Sequence, residues 1–210
     1  MVKKNNFDTD QEEFWHGEFG DSYIARNQSE NLLSSNINFF TKALACAEEI
    51  NSCIEFGSNI GMNIKALKIL FSKLECNAIE INKEAARELR KVVSDDKIFN
   101  GSIFDWDSAE KFELVLIKGV LIHINPNKLN TVYDKLYKAS SKYILIGEYY
   151  NPSPVTVEYR GNKDKLFKRD FCGEILDRFQ DLKLIDYGFS YYRDVKFPQD
   201  DISWFLLKKS

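Results

Sequence analysis

Two glycines and two carboxylates, spaced as in a strand-turn-helix unit, are the residues of this chain best suited to bind a ligand. The run Cys53–Phe56 predicts a strand that carries Glu55, and Gly57 and Gly61 follow in a turn before a predicted helix. Nineteen residues after Gly61, a second predicted strand carries Glu80 at its end. A glycine turn lets the backbone approach a ligand closely, and an acid after the next strand suits ribose hydroxyls. The spacing therefore favours a nucleoside ligand.

Details of the same turn argue against a dinucleotide. Asn59 stands where a dinucleotide-binding loop needs glycine, and Glu55 would face phosphate oxygens unfavourably. A ligand with a nucleoside at one end and an ammonium group at the other fits both residues, and S-adenosylmethionine (SAM) is such a ligand. The alternative is a turn that binds nothing, because a tight strand-to-helix turn needs glycine for its backbone geometry alone.

Length and composition bound the class of protein. The chain has 210 residues, 44% of them hydrophobic and 29% charged, which suits one domain with a substantial core. We expect residues 1–210 to form that single domain. Within it, residues 1–50 would cover cofactor and substrate, residues 51–150 would form the SAM-binding core, and residues 151–210 would supply an acceptor-side loop, a helix and the final strands.

The net charge and the cysteine content limit the classes of binding partner that we expect. A formal net charge of −3 gives no long-range attraction to nucleic acid or to an anionic membrane, so we expect neither as a partner. The four cysteines form no C-x-x-C pair and there are only two histidines, so no metal site is expected. No apolar run approaches the roughly 20 residues of a membrane span, and the N-terminus lacks a signal-peptide core. These features predict a cytoplasmic protein; its oligomeric state stays open.

Hydrophobic periodicity predicts alternating helices and strands. The helices are expected at about residues 29–50, 60–72, 83–93, 126–140 and 171–179, and the strands at 53–56, 77–81, 97–99, 112–118, 143–148, 183–190 and 202–208. Such alternation favours a doubly wound α/β fold with a mostly parallel seven-stranded sheet. The last two strands have no helix between them and should pair antiparallel at the sheet edge. Residues 1–28 and 149–165 are expected to be irregular.

Five segments carry a resemblance to known families. The pattern Glu-x-Gly-x-x-x-Gly at residues 55–61, with Glu80, resembles motif I and the second-strand acid of class I SAM-dependent methyltransferases, which have a Rossmann-like fold. Residues 13–27 resemble the opening of the pseudaminic acid biosynthesis-associated methylases, as do residues 148–155, 159–161 and 165–171. The resemblance implies a SAM-dependent methyltransferase associated with nonulosonic (sialic-acid-like) sugar pathways.

Cofactor contacts are expected mainly where strands end. The methionine end of SAM is assigned to the first turn, the ribose to Glu80 and the adenine to the residues after the second and third strands. Tyr23 and Arg26 would fold over the cofactor and hold its carboxylate. At about position 102 the resemblance implies an adenine-contacting acid, but this chain has a hydroxyl. The full set of expected cofactor contacts is Tyr23, Arg26, Glu55, Gly57, Ser58, Asn59, Gly61, Glu80, Ile81, Ser102, Ile103, Lys118 and Gly119.

His123 and the segment after the fifth strand are the candidates for acceptor chemistry. The imidazole of His123 would remove a proton from an acceptor hydroxyl, or it would be a structural histidine that orients its loop. The expected acceptor contacts are Tyr149, Tyr150, Arg160 and Arg169, because arginine forks suit carboxylates and tyrosines suit sugar rings. Alternatively, both arginines are surface ion-pair partners of nearby aspartates.

The function favoured is methyl transfer from SAM to a small acidic metabolite or sugar derivative, which would be the protein's small-molecule partner. A SAM-binding module without turnover in a glycan pathway is the second hypothesis. An NAD-dependent oxidoreductase is the third, and both Asn59 and the helix-less final strand pair count against it. A nucleic-acid methyltransferase is disfavoured because the chain lacks an Asn/Asp-Pro-Pro-Tyr/Phe motif and a Pro-Cys pair.

Overall fold

A computed structural model describes residues 7–24 and 29–210 of the chain. Its helices are α1 (Asp10–His16), α2 (Glu18–Ile24), α3 (Glu30–Ala43), α4 (Met62–Leu70), α5 (Lys83–Leu89), α6 (Leu129–Ala139) and α7 (Phe171–Arg178). Its strands are β1 (Ser52–Phe56), β2 (Glu75–Glu80), β3 (Ile98–Asn100), β4 (Phe112–Lys118), β5 (Ser140–Glu148), β6 (Val155–Tyr159), β7 (Asn162–Lys168), β8 (Leu182–Ser190) and β9 (Ile202–Lys209).

Seven of these strands form one sheet in the order β3-β2-β1-β4-β5-β9-β8. Strands β1 to β5 pair in parallel, and β9 runs antiparallel to both of its neighbours. The predicted α/β sheet with an antiparallel C-terminal strand is confirmed, although the strand at the sheet edge is β8 and β9 lies inside. The strand order reverses between β1 and β4, which is where open α/β sheets bind ligands.

Apolar side chains cover both faces of this sheet. Phe39 and Leu67 belong to the buried cluster on the face covered by α3 and α4, whereas Val132 and Ile175 belong to the cluster that includes α6 and α7. The run Leu114–Ile117 of β4 is fully buried, as expected for a central parallel strand. The central strands are therefore held rigidly, and their carboxyl ends have fixed positions.

The expectation that residues 149–165 are irregular was wrong. Strands β6 and β7 form a separate antiparallel hairpin closed at Arg160 and Gly161, whose φ angles are 51° and 80°. Two consecutive positive φ angles are typical of the tight two-residue turn that joins twisted strands. Glycine accepts this backbone readily, but arginine is uncommon there, so only half of the usual turn pattern is present in the sequence.

The N-terminal segment also has more regular structure than expected. Thr9 caps the N-terminus of α1: its hydroxyl accepts from the backbone N–H of Glu12, while the Glu12 carboxylate accepts from the backbone N–H of Thr9. This reciprocal capping box stabilises a helix of only seven residues. Among the described residues, no helix is both long and apolar enough to cross a membrane.

Candidate functional site

A cavity of about 480 Å³ lies at the carboxyl ends of the parallel strands. It brings together most of the side chains that the sequence singled out. The expected site residues that line it are Tyr23, Gly57, Ser58, Asn59, Glu80, Ile81, Ser102, Ile103, Lys118, Gly119, His123, Tyr149 and Arg160. Glu55, Gly61, Tyr150 and Arg169 are not part of its lining, and Arg26 falls outside the described residues.

The turn after β1 forms one wall of the cavity. The backbone N–H groups of Gly57 and Ser58 both donate to the carbonyl of Ile79 at 2.9 Å, which ties the turn to β2. Gly57 has φ of 79°, and a Cβ atom there would lie 2.6 Å from a methyl group of Val120. Glycine is therefore required at this position both by the backbone conformation and by the space available.

Gly61 lies outside the lining of the cavity, so its expected cofactor contact stays a prediction. It caps α4 with φ of 82°, and a Cβ atom there would lie 2.7 Å from Leu89 on α5. Its missing side chain therefore allows α4 and α5 to pack closely. Asn59 adopts φ of 49°, a conformation that asparagine tolerates better than most residues.

Glu80 lies at the end of β2 with its carboxylate held at the cavity wall. One carboxylate oxygen accepts from the backbone N–H of Asn59 at 2.6 Å, and the other accepts from Asn82 at 2.7 Å. Burial raises the pKa of Glu80 to about 7, against the effect of these hydrogen bonds. Each oxygen has a second lone pair, so the carboxylate can also accept from hydroxyl groups of a ligand.

Glu55 lies behind the turn and is fully buried. One of its oxygens accepts from the side-chain amide of Asn63 at 2.7 Å, and the other has no hydrogen-bond partner in the described part of the chain. Burial raises the pKa of Glu55 to about 8, although the hydrogen bond from Asn63 and the charge of Lys118 oppose this shift. An acid in this setting would gain from a cation nearby.

Lys118 supplies a cationic group in the cavity wall at the end of β4. Its side chain packs beside Gly147 and places the ammonium 5.2 Å from the centre of the Phe39 ring. Burial lowers the pKa of Lys118, while the acids Glu55, Asp200 and Glu148 oppose that shift. Within residues 7–24 and 29–210, this ammonium makes no ion pair closer than 4 Å.

His123 ends a short 3-10 helix after β4 and contacts the hairpin. Its Nδ1 lies 2.6 Å from the carbonyl oxygen of Lys165, and because a carbonyl only accepts, Nδ1 carries the proton. Its ring packs against Trp15 and Tyr159, with centroid distances of 4.6 and 4.9 Å. Burial lowers the pKa of His123 to about 4, so the imidazole is neutral and only Nε2 has a free lone pair.

The loop that carries His123 is itself anchored by a buried acid. One oxygen of Glu148 accepts from the backbone N–H groups of Val120 and Leu121, at 2.9 and 2.8 Å. The second oxygen has no hydrogen-bond partner among the described residues. Burial raises the pKa of Glu148 to about 7. Glu148 therefore positions the loop after β4, a function that the sequence did not indicate.

Helix α1 lies across the cavity and is fixed by contacts with three other segments. The side chain of Gln11 donates to the carbonyl of Asp164 in the hairpin at 2.9 Å. The hydroxyl of Ser102 donates to the carboxylate of Glu12 at 2.5 Å. The side chain of Asn82 donates to the carbonyls of Trp15 and His16 on α1, both at 3.3 Å. The N-terminal helices and the hairpin together cover the strand ends.

Two expected acceptor contacts lie away from the cavity wall. Tyr150 is exposed and packs against Phe205 with a centroid distance of 6.2 Å. Arg169 donates to the carboxylate of Glu174 at 2.6 Å, so its ion-pair partner is a glutamate and not one of the nearby aspartates. These two residues therefore remain predictions without a place in the cavity.

Other cavity residues gave no signal in the sequence. Gln199 and Asp200, in the connection between β8 and β9, and Asn36 on α3 all line the cavity. The Gln199 side chain donates to that of Asn36 at 2.9 Å, and both residues are buried. They are 163 positions apart along the chain, which is why local patterns could not reveal the pair.

The sequence matches no protein-family model and no curated protein. Solved structures do resemble the fold. The plantazolicin methyltransferase BpumL in complex with S-adenosylhomocysteine (SAH) gives a TM-score of 0.66 at 14% identity, covering 95% of this chain and 94% of that one. The magnesium protoporphyrin IX methyltransferase ChlM of Synechocystis, with bound SAM, gives 0.68 at 10% identity and covers 98% and 100%. The 1,6-didemethyltoxoflavin-N1-methyltransferase of Burkholderia thailandensis, with its substrate and SAH, gives 0.69 at 10% identity and covers 95% and 87%. This chain therefore has the fold of class I SAM-dependent methyltransferases.

Proposed function

We propose that this protein is a SAM-dependent methyltransferase that acts on a small acidic metabolite or sugar derivative. The observation that carries the proposal is the cavity at the strand-order reversal, which joins the Gly57 turn to the buried carboxylate of Glu80. In this proposal residues 1–210 act as one unit, with residues 51–150 as the SAM-binding core. Residues 1–50 and 151–210 supply the helices and the hairpin that cover it.

The residues present fit the cofactor. Glu80 accepts from the ribose hydroxyls, and Ile81 and Ile103 provide apolar surface for the base. At the other end, the buried Glu55 lies behind the glycine turn and favours an ammonium group there. The ammonium of Lys118 suits a carboxylate. Arg26, which lies outside the described residues, remains a predicted partner of that carboxylate.

Methyl transfer needs positioning more than covalent help from the protein. When bound, SAM supplies a methyl group on a sulfonium centre, and the thioether that departs from this centre is already a good leaving group. The chain then has to hold the acceptor in line and exclude water, which removes much of the entropic part of the barrier. Gly119 has φ of 69° and faces open space, so it leaves room for the reacting groups. The rings of Trp15, Tyr23 and Tyr149 line the same cavity and favour a cationic centre.

The acceptor class is proposed from the segments that cover the cavity. Residues 13–27, 148–155, 159–161 and 165–171, which resemble the pseudaminic acid biosynthesis-associated methylases, include α2, most of α1 and parts of the hairpin. Arg160, at the hairpin turn, lines the cavity and lies 5.7 Å from the ring centre of Tyr159. A guanidinium held beside an aromatic ring suits the carboxylate of a nonulosonic acid, while Tyr149 suits a sugar ring. We therefore propose nonulosonic acids and related surface-glycan precursors as acceptors.

Thermal denaturation of the purified protein tests the cofactor. SAM and SAH, each at about 100 times its Kd, should add roughly 2.7 kcal/mol of stability, since each binds only the folded protein. For a chain of this size that corresponds to a rise of several degrees in Tm. NAD at the same concentration should leave Tm unchanged. A shift with NAD alone would overturn the proposal in favour of an oxidoreductase.

Product formation separates an enzyme from a binding module. We expect methyl transfer to one or more members of a panel of nonulosonic acids, and little transfer to their methyl esters or to neutral sugars. Binding of SAH without transfer to any acidic acceptor would support a module without turnover. Transfer to the neutral sugars alone would refute the acidic acceptor class.

His123 is expected to position the hairpin and not to act as the base. Its Nδ1–H donates to the carbonyl oxygen of Lys165, and a pKa of about 4 makes Nε2 a weak base at neutral pH. His123→Gln should raise KM for the acceptor severalfold by loosening the hairpin, and the pH profile of kcat should keep its shape. Arg87→Gln, on the exposed surface of α5, is the control. A step in kcat near pH 6.5 that disappears in His123→Gln would assign the base to His123 instead.

A further inference from the structure

Glu12 lines the cavity from α1, so it belongs neither to the glycine turn nor to the strand ends that form the rest of the proposed cofactor site. Its side chain is buried, and its carboxylate is fixed from two sides. One oxygen accepts from the hydroxyl of Ser102 at 2.5 Å. The other accepts from the backbone N–H and the hydroxyl of Thr9, both at 2.9 Å. The carboxylate is therefore oriented before any ligand arrives.

Glu12 and Glu80 line the same cavity, and the residues around Glu12 indicate which part of a ligand it would face. This step rests on the proposed function, in which Glu80 holds the ribose of a nucleoside. The neighbour of β2 in the sheet is β3, so a base attached to that ribose would lie against the residues that follow these two strands. The cavity wall there is apolar at Ile81, Ile103 and Phe104. Glu12 and Ser102 supply polar atoms in this apolar region, at the place where the edge of a flat base would lie.

We propose that Glu12 selects adenine by accepting a hydrogen bond from its exocyclic 6-amino group. The oxygen bound to Ser102 has a second lone pair, and a carboxylate is an acceptor only. An amino group satisfies this lone pair, whereas the 6-oxo group of hypoxanthine would place two acceptors against each other in a buried site. Ser102 acts as a positioning residue, since its hydroxyl holds the carboxylate toward the base. The acid of the adenine subsite thus comes from a helix 90 positions away from Ser102 in the sequence.

The expected effect is a preference between two ligands that differ at the 6-position of the base, where hypoxanthine has an oxo group in place of the amino group and carries a proton on the adjacent N1. S-adenosylhomocysteine should bind the wild-type protein on the order of 100-fold more tightly than S-inosylhomocysteine, because a buried charged acceptor is left facing a carbonyl. Glu12→Gln should reduce this ratio to a few-fold, since an amide can turn its N–H₂ toward the oxo group. Glu12→Asp should also lower the ratio, because the shorter side chain withdraws the acceptor.

Isothermal titration of both ligands into the full chain and its variants measures the ratio. Quenching of the intrinsic tryptophan fluorescence, to which Trp15 in the cavity wall contributes, provides a second readout. Glu13→Gln is the matched control, because Glu13 lies on the same helix but is exposed and outside the cavity wall. It should keep the wild-type ratio. Ser102→Ala should weaken SAH binding severalfold while a clear preference for adenine remains.

The outcomes distinguish the inference from the function on which it rests. If wild-type protein binds SAH but does not discriminate against S-inosylhomocysteine, the assignment of Glu12 is wrong while the cofactor assignment stands. The assignment of Glu12 is equally wrong if both Glu12 variants fold and keep the full ratio. If wild-type protein binds neither ligand, the proposed function fails and this inference fails with it.

Discussion

Replacing Glu80 by alanine is expected to weaken binding of S-adenosylhomocysteine by at least about 100-fold. The carboxylate would accept hydrogen bonds from two ribose hydroxyls, and hydrogen bonds to charged groups contribute about 1.5–3 kcal/mol each. The substitution also leaves the buried backbone N–H groups of Asn59 and Asn82 without their present acceptor. The turn that lines the cavity then loses one of its anchors to β2. Isothermal titration with SAH measures the loss directly.

Two further variants separate ligand contact from turn geometry. Glu80→Gln keeps one acceptor oxygen but turns an N–H₂ group toward a backbone N–H, so it should lose affinity to an intermediate degree. Glu84→Ala removes an exposed acid on the neighbouring helix α5, whose ion pair with Arg87 lies at the surface, and should bind SAH like wild type. An affinity for Glu80→Ala within about threefold of wild type, a difference of less than 1 kcal/mol, would show that Glu80 only anchors the backbone.

The sequence predicted the sheet and the strand-end part of the site for one physical reason. A central parallel strand is buried on both faces, so its apolar run marks its limits, and the predicted strand at residues 112–118 coincides with β4. Parallel strands share a direction, so polar residues at their ends meet at one edge of the sheet. Glu80, Ser102 and Lys118 come from three such strand ends and line one cavity.

The residues that sequence analysis missed are those whose partners are distant in the chain. Glu12 is 90 positions from Ser102, and Gln11 is 153 positions from Asp164. A periodicity or a short motif reports only local conformation, so the Thr9 capping box could indicate a helix but not what that helix covers. Gly61 shows that one motif spacing can have two physical causes. Its spacing predicts a ligand contact, which stays a prediction, while its φ of 82° and its close approach to Leu89 favour glycine whether or not a ligand binds.

The stability of the ligand-free protein is expected to fall by several kcal/mol between pH 6.0 and 8.5. Burial raises the pKa of Glu55 to about 8 and those of Glu80 and Glu148 to about 7, whereas an unfolded glutamate has a pKa of about 4.3. Between these values the folded protein holds protons that the unfolded chain has lost. The free energy of unfolding therefore decreases as pH rises, by up to about 1.4 kcal/mol per pH unit for each group, until its folded pKa is passed.

The ionisation of His123 makes the free energy of unfolding rise with pH, but only at lower pH. Burial lowers its pKa to about 4, so between pH 4 and about 6.5 the unfolded chain binds a proton that the folded protein does not. Its contribution to stability is present above pH 6.5 and is lost as the pH falls through that interval. Above pH 6.5 His123 no longer opposes the effect of the three carboxyl groups. Urea unfolding at pH 6.0, 7.0 and 8.5 without ligand should show a loss of stability at each step of this range.

The variant Glu148→Gln measures how much the ionisation of Glu148 contributes to the loss of stability between pH 6.0 and 8.5. The amide oxygen can still accept from the backbone N–H groups of Val120 and Leu121, and the N–H₂ group replaces the oxygen that has no partner among the described residues. The variant should fold and should lose about 1 kcal/mol less than wild type between pH 6.0 and 8.5, because one ionisation has been removed. Glu158→Gln changes an exposed acid on β6 and should retain the wild-type pH dependence. If Glu148→Gln retains it as well, Glu148 is ionised throughout, and the loop after β4 is then anchored by a buried charge instead of a protonated carboxyl group.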